Sequence, residues 1–369
     1  MIKIKQMTLY RLRMPLRTPF LNWREQVKEK DLYICELVDQ DGVTGYGESV
    51  AFDSPWYTEE TTETVHYIAK TYLKQLLKEP FLHPSEFIER ANVIKRNHMA
   101  KAMVEGALWD IFAKRLEMPL YQVLGGKNPK VNVGVAIGMK QTDDETLDAI
   151  GQAEKDGYKR IKLKVSKKND LRLIKKIRTK FPMMPLMMDA NGAYTIHDIE
   201  HVKKFDHYNL LMIEQPFHPE DFVDHKYLQE QLHTPVCLDE SIHTIQDVRT
   251  AIALESCRII SVKLGRVGGF RNALTIHDLC QKHQIGLWTG GMLEAGIGRA
   301  QSLALATLPG FTYPADQAGA DRYWEKDILS EEIIAENGMI TLPQRPGIGY
   351  EVDKAAIAYY QIDREIVKV

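Results

Sequence analysis

The chain has 369 residues, of which 44% are hydrophobic and 27% are charged, the proportions of an ordinary globular protein. At roughly 150 residues per domain, this length predicts two domains, or one large barrel with additions. The 48 basic and 50 acidic residues nearly balance, which excludes a protein-wide positive field and argues against nucleic acid or an anionic membrane surface as a partner.

The N-terminal residues alternate between apolar and charged side chains, as a strand does and a signal peptide does not. No stretch of the chain approaches the ~18 consecutive apolar residues that a membrane span needs. We therefore expect a cytoplasmic protein with no membrane partner. Further strand-like runs flank the turn signal Asp41-Gly42 and predict a small antiparallel meander near the N-terminus.

A helical pattern replaces the strands from Thr58 onward. Thr58 is a candidate hydroxyl cap, and Glu60 is among the acids expected in a first helical turn. Ser85 begins a second predicted helix, and residues 100–116 have the apolar spacing of a third. The meander and the helices together predict an α+β domain over residues 1–125.

Beyond residue 130, short apolar runs alternate with helical segments, and the first run spans residues 131–136. The residues near the ends of the later runs follow one another at steps of 24 or 25: Lys164, Asp189, Glu214, Asp239, Lys263 and Trp288. One βα unit has about this length, so the repeat predicts an α/β fold, a TIM-like (β/α)7β barrel over residues 126–315. An open doubly wound sheet is the alternative. Residues 316–369 lose the pattern, and we expect them to return to the N-terminal domain.

Three carboxylates occupy equivalent places in this repeat. Asp189, Glu214 and Asp239 each end a run, and the carboxyl ends of barrel strands meet in one mouth, where catalytic groups lie. A single acid at a strand end is usually a helix cap or a loop residue. Three in phase would repel one another unless a cation lay between them, and an all-oxygen set suits Mg²⁺, with Mn²⁺ as a substitute. The repeat therefore predicts a metal site.

Lysines accompany these acids. In residues 161–165 the period of two places Lys162 and Lys164 on the interior side of the strand. Two buried lysines need anionic partners, which the three carboxylates provide. Lys263 ends the sixth predicted strand, halfway around an eight-membered ring from the second, so we expect it to face Lys164 across the cavity.

A divalent cation with a lysine on each side suits the removal of a proton next to a carboxylate. The metal holds the carboxylate oxygens, and metal and ammonium together neutralise the enediolate that forms. The expected partner is therefore a small-molecule carboxylate substrate. Two readings from other classes stay open. One is a metal-free Schiff-base lyase with Lys164 or Lys263 as nucleophile, which leaves the acids unexplained, and the other is a binding barrel with an inactive site.

Five short motifs carry these residues: Lys162-Leu163-Lys164, Asp189-Ala190-Asn191, Glu214-Gln215-Pro216, Asp239-Glu240-Ser241 and Val262-Lys263. In register, they resemble the motifs of the enolase superfamily and, within it, of the muconate-lactonizing subgroup, and the resemblance covers the whole chain. It implies that the N-terminal segment and the C-terminal tail form a capping domain on the barrel. It also implies that the three acids bind Mg²⁺ and that the three lysines take part in catalysis.

Four further segments narrow the resemblance: residues 54–61, 266–269, 290–294 and 296–300. They resemble the branch that holds o-succinylbenzoate synthases, some of which also racemise N-succinylamino acids. The resemblance implies syn dehydration of 2-succinyl-6-hydroxy-2,4-cyclohexadiene-1-carboxylate to o-succinylbenzoate in menaquinone biosynthesis. Lys164 would remove the α proton and help hydroxide leave, while Lys263 stabilises the enediolate. In a racemase both lysines act, one on each face. Whether dehydration, racemisation or both is the biological role stays open, and muconate cycloisomerisation is the nearest rival.

The resemblance also implies which residues contact the substrate. They are Asn191 and Arg266, then Gly291 and Met292 near the succinyl group, and Phe20 and Trp23 in the capping loops. Packing at the domain interface is an equally good explanation of the aromatic side chains. We expect a homo-oligomer whose size the sequence does not define.

Overall fold

The computed structural model describes residues 1–21, 25–168 and 170–369. Within these residues the strands form an antiparallel four-stranded sheet, a parallel seven-stranded sheet and an antiparallel pair. The strands are β1 (Ile4–Leu21), β2 (Gln26–Asp39), β3 (Thr44–Ser49), β4 (Lys130–Asn132), β5 (Val135–Ile137), β6 (Ile161–Lys164), β7 (Leu186–Asp189), β8 (Ile213–Glu214), β9 (Val236–Leu238), β10 (Ile259–Val262), β11 (Gly286–Thr289), β12 (Met339–Thr341) and β13 (Gln361–Lys368).

Helices follow most of the strands. The α-helices are α1 (Thr62–Ile68), α2 (Lys74–Leu76), α3 (Ser85–Ala91), α4 (His98–Arg115), α5 (Leu120–Val123), α6 (Asp143–Lys155), α7 (Asp170–Lys180), α8 (Ile199–Val202), α9 (Phe222–Glu230), α10 (Ile245–Leu254), α11 (Leu264–Val267), α12 (Phe270–Lys282), α13 (Gly296–Ala306) and α14 (Lys354–Tyr360). A π-helical turn (Ala69–Leu73) joins α1 to α2, and 3-10 turns lie at Ile196–Asp198, Lys203–Tyr208 and Ala320–Arg322. No helix in the described ranges has both the length and the apolar character that crossing a bilayer requires.

The N-terminal sheet is the predicted meander with one strand added from the far end of the chain. Its order is β13-β1-β2-β3, antiparallel throughout, and β2 pairs with β3 across the Asp41-Gly42 turn. Helix α4 packs so closely on β3 that a Cβ at position 47 would lie only 1.8 Å from the carbonyl oxygen of Met103. Gly47, which has no Cβ, therefore permits this contact. The chain's two ends and α4 therefore form one layered α+β unit.

The seven-stranded sheet runs from β5 to β11 in chain order, and all its strands are parallel. Its register places the predicted strand ends side by side, since Lys164 pairs with Asp189 and Asp189 pairs with Glu214. The sequence repeat therefore becomes a row of charged side chains along one edge of the sheet.

Residues 313–316 close the curled sheet by bridging its two outer strands. The N–H of Gly134, next to β5, donates to the carbonyl of Ala315 at 2.8 Å. The N–H of Asp316 donates to the carbonyl of Thr289 in β11, also at 2.8 Å. This segment occupies the eighth position of the ring, which agrees with the predicted (β/α)7β barrel.

The first predicted barrel strand is wrong in extent. Residues 131–136 contain parts of two short strands: β4 pairs antiparallel with β12, whereas β5 is the first parallel strand of the barrel. The chain changes partner around Gly134, where a Cβ would lie 2.7 Å from the side chain and carbonyl of Arg160. The sequence of residues 131–136 alone does not show that the chain changes its strand partner within this run.

The first helix begins later than the predicted Thr58. Thr61 caps α1 with its side-chain oxygen. Glu60 is buried, and its carboxylate accepts hydrogen bonds from the N–H groups of Met99 and Ala100 at the start of α4. The acid that the sequence assigns to the first turn of one helix therefore stabilises the N-terminus of another.

Candidate active site

A cavity of about 640 Å³ lies where the carboxyl edge of the barrel meets the N-terminal domain. Both parts of the chain contribute residues that line it: Lys162, Lys164, Asn191, Lys263, Gly291 and Met292 from the barrel, and the aromatic Phe20, Phe52, Trp56 and Tyr57 from the N-terminal domain. Four predicted substrate contacts, Phe20, Asn191, Gly291 and Met292, are therefore brought together. Trp23, also predicted, lies outside the described residues.

The two lysines of β6 reach the carboxylates at the ends of β7 and β8. Nζ of Lys164 lies 2.5 Å from Oδ2 of Asp189 and donates to Oδ1 of Asn191 at 2.7 Å. Nζ of Lys162 lies 3.6 Å from a carboxylate oxygen of Asp189 and 3.6 Å from one of Glu214. The alternation of β6 therefore points both ammonium groups into the barrel, where the carboxylates compensate their charge.

Asp316 is a member of the site that sequence reasoning missed. Its Oδ2 lies 2.5 Å from Nζ of Lys162, and its Oδ1 accepts from Nη2 of Arg160 at 3.0 Å. Burial would lower the pKa of Lys162, but the surrounding carboxylates, Asp316 first, outweigh burial and hold that pKa well above its ordinary value. Lys162 is therefore a fixed positive charge. The 25-residue step continued beyond Trp288 leads to residue 313, three residues short of Asp316.

Lys263 follows β10 and binds a different carboxylate. Its Nζ donates to Oδ2 of Asp239 at 2.8 Å and to Oη of Tyr57 at 2.7 Å. The guanidinium of Arg266, 1% exposed, donates to Oδ1 of Asp239 at 2.5 Å and to Tyr57 at 2.9 Å. Burial would raise the pKa of Asp239, but Arg266 and Lys263 outweigh it and hold that pKa well below its usual range.

The structure gives Arg266 and Tyr57 positions that the sequence analysis did not predict. Arg266 contacts Asp239 and Tyr57, and it is not among the described residues that line the cavity, so it reaches the site through those partners. Tyr57 lies in one of the segments that carry the family resemblance, yet its hydroxyl had no predicted role. Its cationic partners lie more than 200 positions away, so no local pattern could identify them.

Glu214 is a buried carboxylate of the site whose nearest cation is Lys162, at 3.6 Å. Neither of its oxygens accepts a hydrogen bond, and burial together with the neighbouring Asp189 raises its pKa well above the ordinary value. A buried carboxylate of this kind is costly unless it is also hydrogen-bonded or binds a metal. Among the described residues, no three acid, thiol or imidazole groups converge as a ready-made metal cluster, because ammonium groups contact these carboxylates instead. Glu214, whose oxygens accept no hydrogen bond, and the all-oxygen donor set nevertheless fit a divalent cation.

Two family models match the chain. The model described as the N-terminal domain of the mandelate racemase / muconate lactonizing enzyme family matches residues 4–125, and the one described as enolase C-terminal domain-like matches residues 145–356. An o-succinylbenzoate synthase from Geobacillus stearothermophilus is 47% identical over 97% of this chain and 96% of that protein. An N-succinylamino acid racemase from Thermus thermophilus is 39% identical over 94% of each chain.

Solved structures agree with these matches. A member of the enolase superfamily from Listeria innocua, 40% identical in sequence, aligns with a TM-score of 0.97 over 100% of both chains. A dipeptide epimerase from Enterococcus faecalis, solved with Mg and the dipeptide L-Leu-L-Tyr, is 26% identical, with a TM-score of 0.87 over 95% of this chain and 99% of that one. Sequence, fold and register therefore agree: the chain belongs to the enolase superfamily and carries both domains of its mandelate racemase and muconate lactonizing group.

Proposed function

We propose that the chain is an o-succinylbenzoate synthase, a lyase that dehydrates 2-succinyl-6-hydroxy-2,4-cyclohexadiene-1-carboxylate to o-succinylbenzoate in menaquinone biosynthesis. The observation that carries the proposal is the placement of Lys164 and Lys263. They line one cavity from β6 and the end of β10, which are four positions apart in the sheet. The relatives named o-succinylbenzoate synthase support the same reaction.

Asp189, Glu214 and Asp239 would hold a divalent cation, and their oxygens favour Mg²⁺, with Mn²⁺ as a substitute. When bound, the cation supplies positive charge that neutralises the substrate carboxylate and makes its α proton more acidic. The Mg in the related dipeptide epimerase supports this choice of ion. Lys162, held by Asp316, adds a fixed positive charge beside the same carboxylates.

Lys164 acts first as a base and then as an acid. As a neutral amine, its Nζ takes the α proton, and the electron pair of the C–H bond moves into an enediolate. The ammonium of Lys263 stabilises that negative charge from the other wall of the cavity. The enediolate then collapses, the ring C–O bond breaks, and Lys164 returns its proton so that the hydroxyl leaves as water. Asn191 accepts a hydrogen bond from Lys164 and orients it.

The two-sided arrangement also favours a second activity, the racemisation of N-succinylamino acids. One lysine takes the α proton from one face, and the other delivers a proton to the opposite face, which inverts the carbon. A relative named N-succinylamino acid racemase supports this activity. Gly291 and Met292, which line the cavity after β11, would contact the succinyl arm that both substrates carry.

With Mg²⁺ present, purified protein is expected to consume the cyclohexadiene substrate in an assay monitored by ultraviolet absorbance. EDTA is expected to reduce the rate by at least about 10³-fold, because charge stabilisation by the cation is a large part of the barrier reduction. Added Mg²⁺ should restore the rate, which controls for damage by the chelator.

Other outcomes of this assay would redirect the assignment. Dehydration that EDTA does not affect would contradict the metal role. Metal-dependent α-deuterium exchange of N-succinylamino acids without dehydration would assign a racemase alone, and turnover of cis,cis-muconate would assign a cycloisomerase. Irreversible trapping of substrate by borohydride would support the Schiff-base alternative.

A further inference from the structure

Phe52, Trp56 and Tyr57 form an aromatic wall of the cavity, and a buried lysine of the N-terminal domain lies behind it. Lys30 of β2 is 0% exposed. Its Nζ donates to the carbonyl oxygens of Val50 at 2.6 Å and Ala51 at 3.0 Å, and it lies 3.5 Å from the centre of the Phe52 ring. Among the described residues, no carboxylate forms an ion pair with it.

These three contacts occupy the donors of the ammonium. A lysine has three N–H donors, and here two meet backbone carbonyls while the ring face attracts the remaining charge. Burial lowers the pKa of Lys30 to about 7 although Glu48 and other acids act against it. A charge buried in this way is costly unless its partners stay in place. The position of Lys30 therefore constrains the backbone of residues 50–52, where the chain leaves β3.

Residues 50–60, here named the strap, run from this point to Lys263. The ring centres of Phe52 and Trp56 are 4.7 Å apart, and those of Trp56 and Tyr57 are 5.5 Å apart. The Tyr57 hydroxyl then contacts Lys263. The far end of the strap is held by Glu60, which accepts hydrogen bonds from the start of α4. Two buried charged residues therefore anchor the strap, one at each end.

We infer that Lys30 is a positioning residue for this site: it fixes the aromatic wall through Val50, Ala51 and Phe52, and through that wall it fixes the Tyr57 hydroxyl on Lys263. It does not line the cavity and takes no part in proton transfer. This inference rests on the proposed function only for its kinetic test, because its structural test needs no substrate.

Replacement of Lys30 tests the inference, with Lys30→Met as the variant of similar length that lacks the charge and the donors. The matched control is Lys114→Met. Nζ of Lys114 also donates to a backbone carbonyl, that of Thr44 at 2.8 Å, and lies 5.4 Å from the Tyr46 ring. Unlike Lys30 it pairs with a carboxylate, that of Asp110 at 2.7 Å, and it does not contact the strap. Amide hydrogen exchange, read by mass spectrometry, reports the strap directly, and steady-state kinetics reports the site.

In Lys30→Met, strap amides are expected to exchange at least about tenfold faster than in the wild type. Because the strap's Phe52, Trp56 and Tyr57 line the cavity that binds the substrate, KM for the cyclohexadiene substrate is expected to rise at least about tenfold, with a smaller change in kcat. In Lys114→Met, strap exchange and KM should stay at the wild-type values. Lys30→Arg, which keeps the charge and can reach the carbonyls, should recover part of both effects.

Wild-type strap exchange in Lys30→Met would overturn the inference, whatever the activity. If Lys30→Met does not fold, Phe52→Leu replaces it. Phe52→Leu removes the ring face that Lys30 contacts and should accelerate strap exchange, and wild-type strap exchange in this variant would overturn the inference. Wild-type protein that turns over neither proposed substrate would refute the proposed function, while strap exchange would still decide the role of Lys30.

Discussion

Replacing Lys164 with alanine is expected to reduce dehydration by about 10⁴-fold, the upper end of the range for general acid–base groups, because one amine serves as base and then as acid. Its Nζ contacts Asp189 at 2.5 Å and Asn191 at 2.7 Å, so the variant also loses both of these contacts. The rate is measured by ultraviolet absorbance at saturating Mg²⁺, where thermal unfolding confirms that the variant is folded.

The control for this variant is Lys167→Ala, three positions further along the chain. Lys167 is 45% exposed and pairs with Asp198, away from the cavity, so its removal should leave the rate unchanged. A Lys164→Ala protein that keeps more than about a tenth of the wild-type rate would show that another group takes the proton.

Replacing Glu214 with glutamine is expected to remove the stabilisation of the protein by Mg²⁺ without destabilising the metal-free fold. Neither Glu214 oxygen has a hydrogen-bond donor, and an unsatisfied buried group of this kind costs about 1–3 kcal/mol, more when it is charged. A neutral amide of the same shape relieves the charge but is a poor ligand for Mg²⁺. Wild-type protein should gain about 2.7 kcal/mol at an Mg²⁺ concentration 100 times Kd.

Thermal unfolding with and without Mg²⁺ measures both parts of this expectation. Glu220→Gln is the matched control, because Glu220 follows the same strand but is exposed. The control should keep the full Mg²⁺-dependent shift in Tm. If Glu214→Gln kept that shift as well, Glu214 would not be a metal ligand.

The barrel and its charged edge are readable from the sequence because both follow from a short-range repeat. A step of 24 or 25 residues places Lys164, Asp189 and Glu214 at successive strand ends, and the observed register pairs these residues directly. Alternation within β6 is enough to turn Lys162 inward with Lys164. Each inference needs only the period of a strand and the length of one βα unit.

The parts that could not be predicted depend on contacts between distant segments. Glu60 caps α4, which begins 38 positions later at His98, whereas its local sequence predicts that it lies in the first turn of α1. Tyr57 bonds Lys263 across 206 positions, and Asp316 pairs with Lys162 from the segment that closes the barrel. Lys30 lies in a run of charged residues, between Glu29 and Asp31, which gives no sign that it is buried. Its contacts with residues 50–52 appear only once β2 and the strap are packed together.

The central claim is that Lys164 and Lys263 face one substrate carbon from opposite walls of the cavity, and heavy-water exchange tests it most directly. Each enantiomer of an N-succinylamino acid is incubated with Mg²⁺ and wild type, Lys164→Ala or Lys263→Ala, and α-deuterium incorporation is followed by mass spectrometry. The account predicts that wild type exchanges both enantiomers. It predicts that each variant exchanges only the enantiomer whose α proton faces its remaining lysine, so that the two variants have opposite preferences. Variants that share one preference, or that both exchange the two enantiomers equally, would contradict the two-sided site.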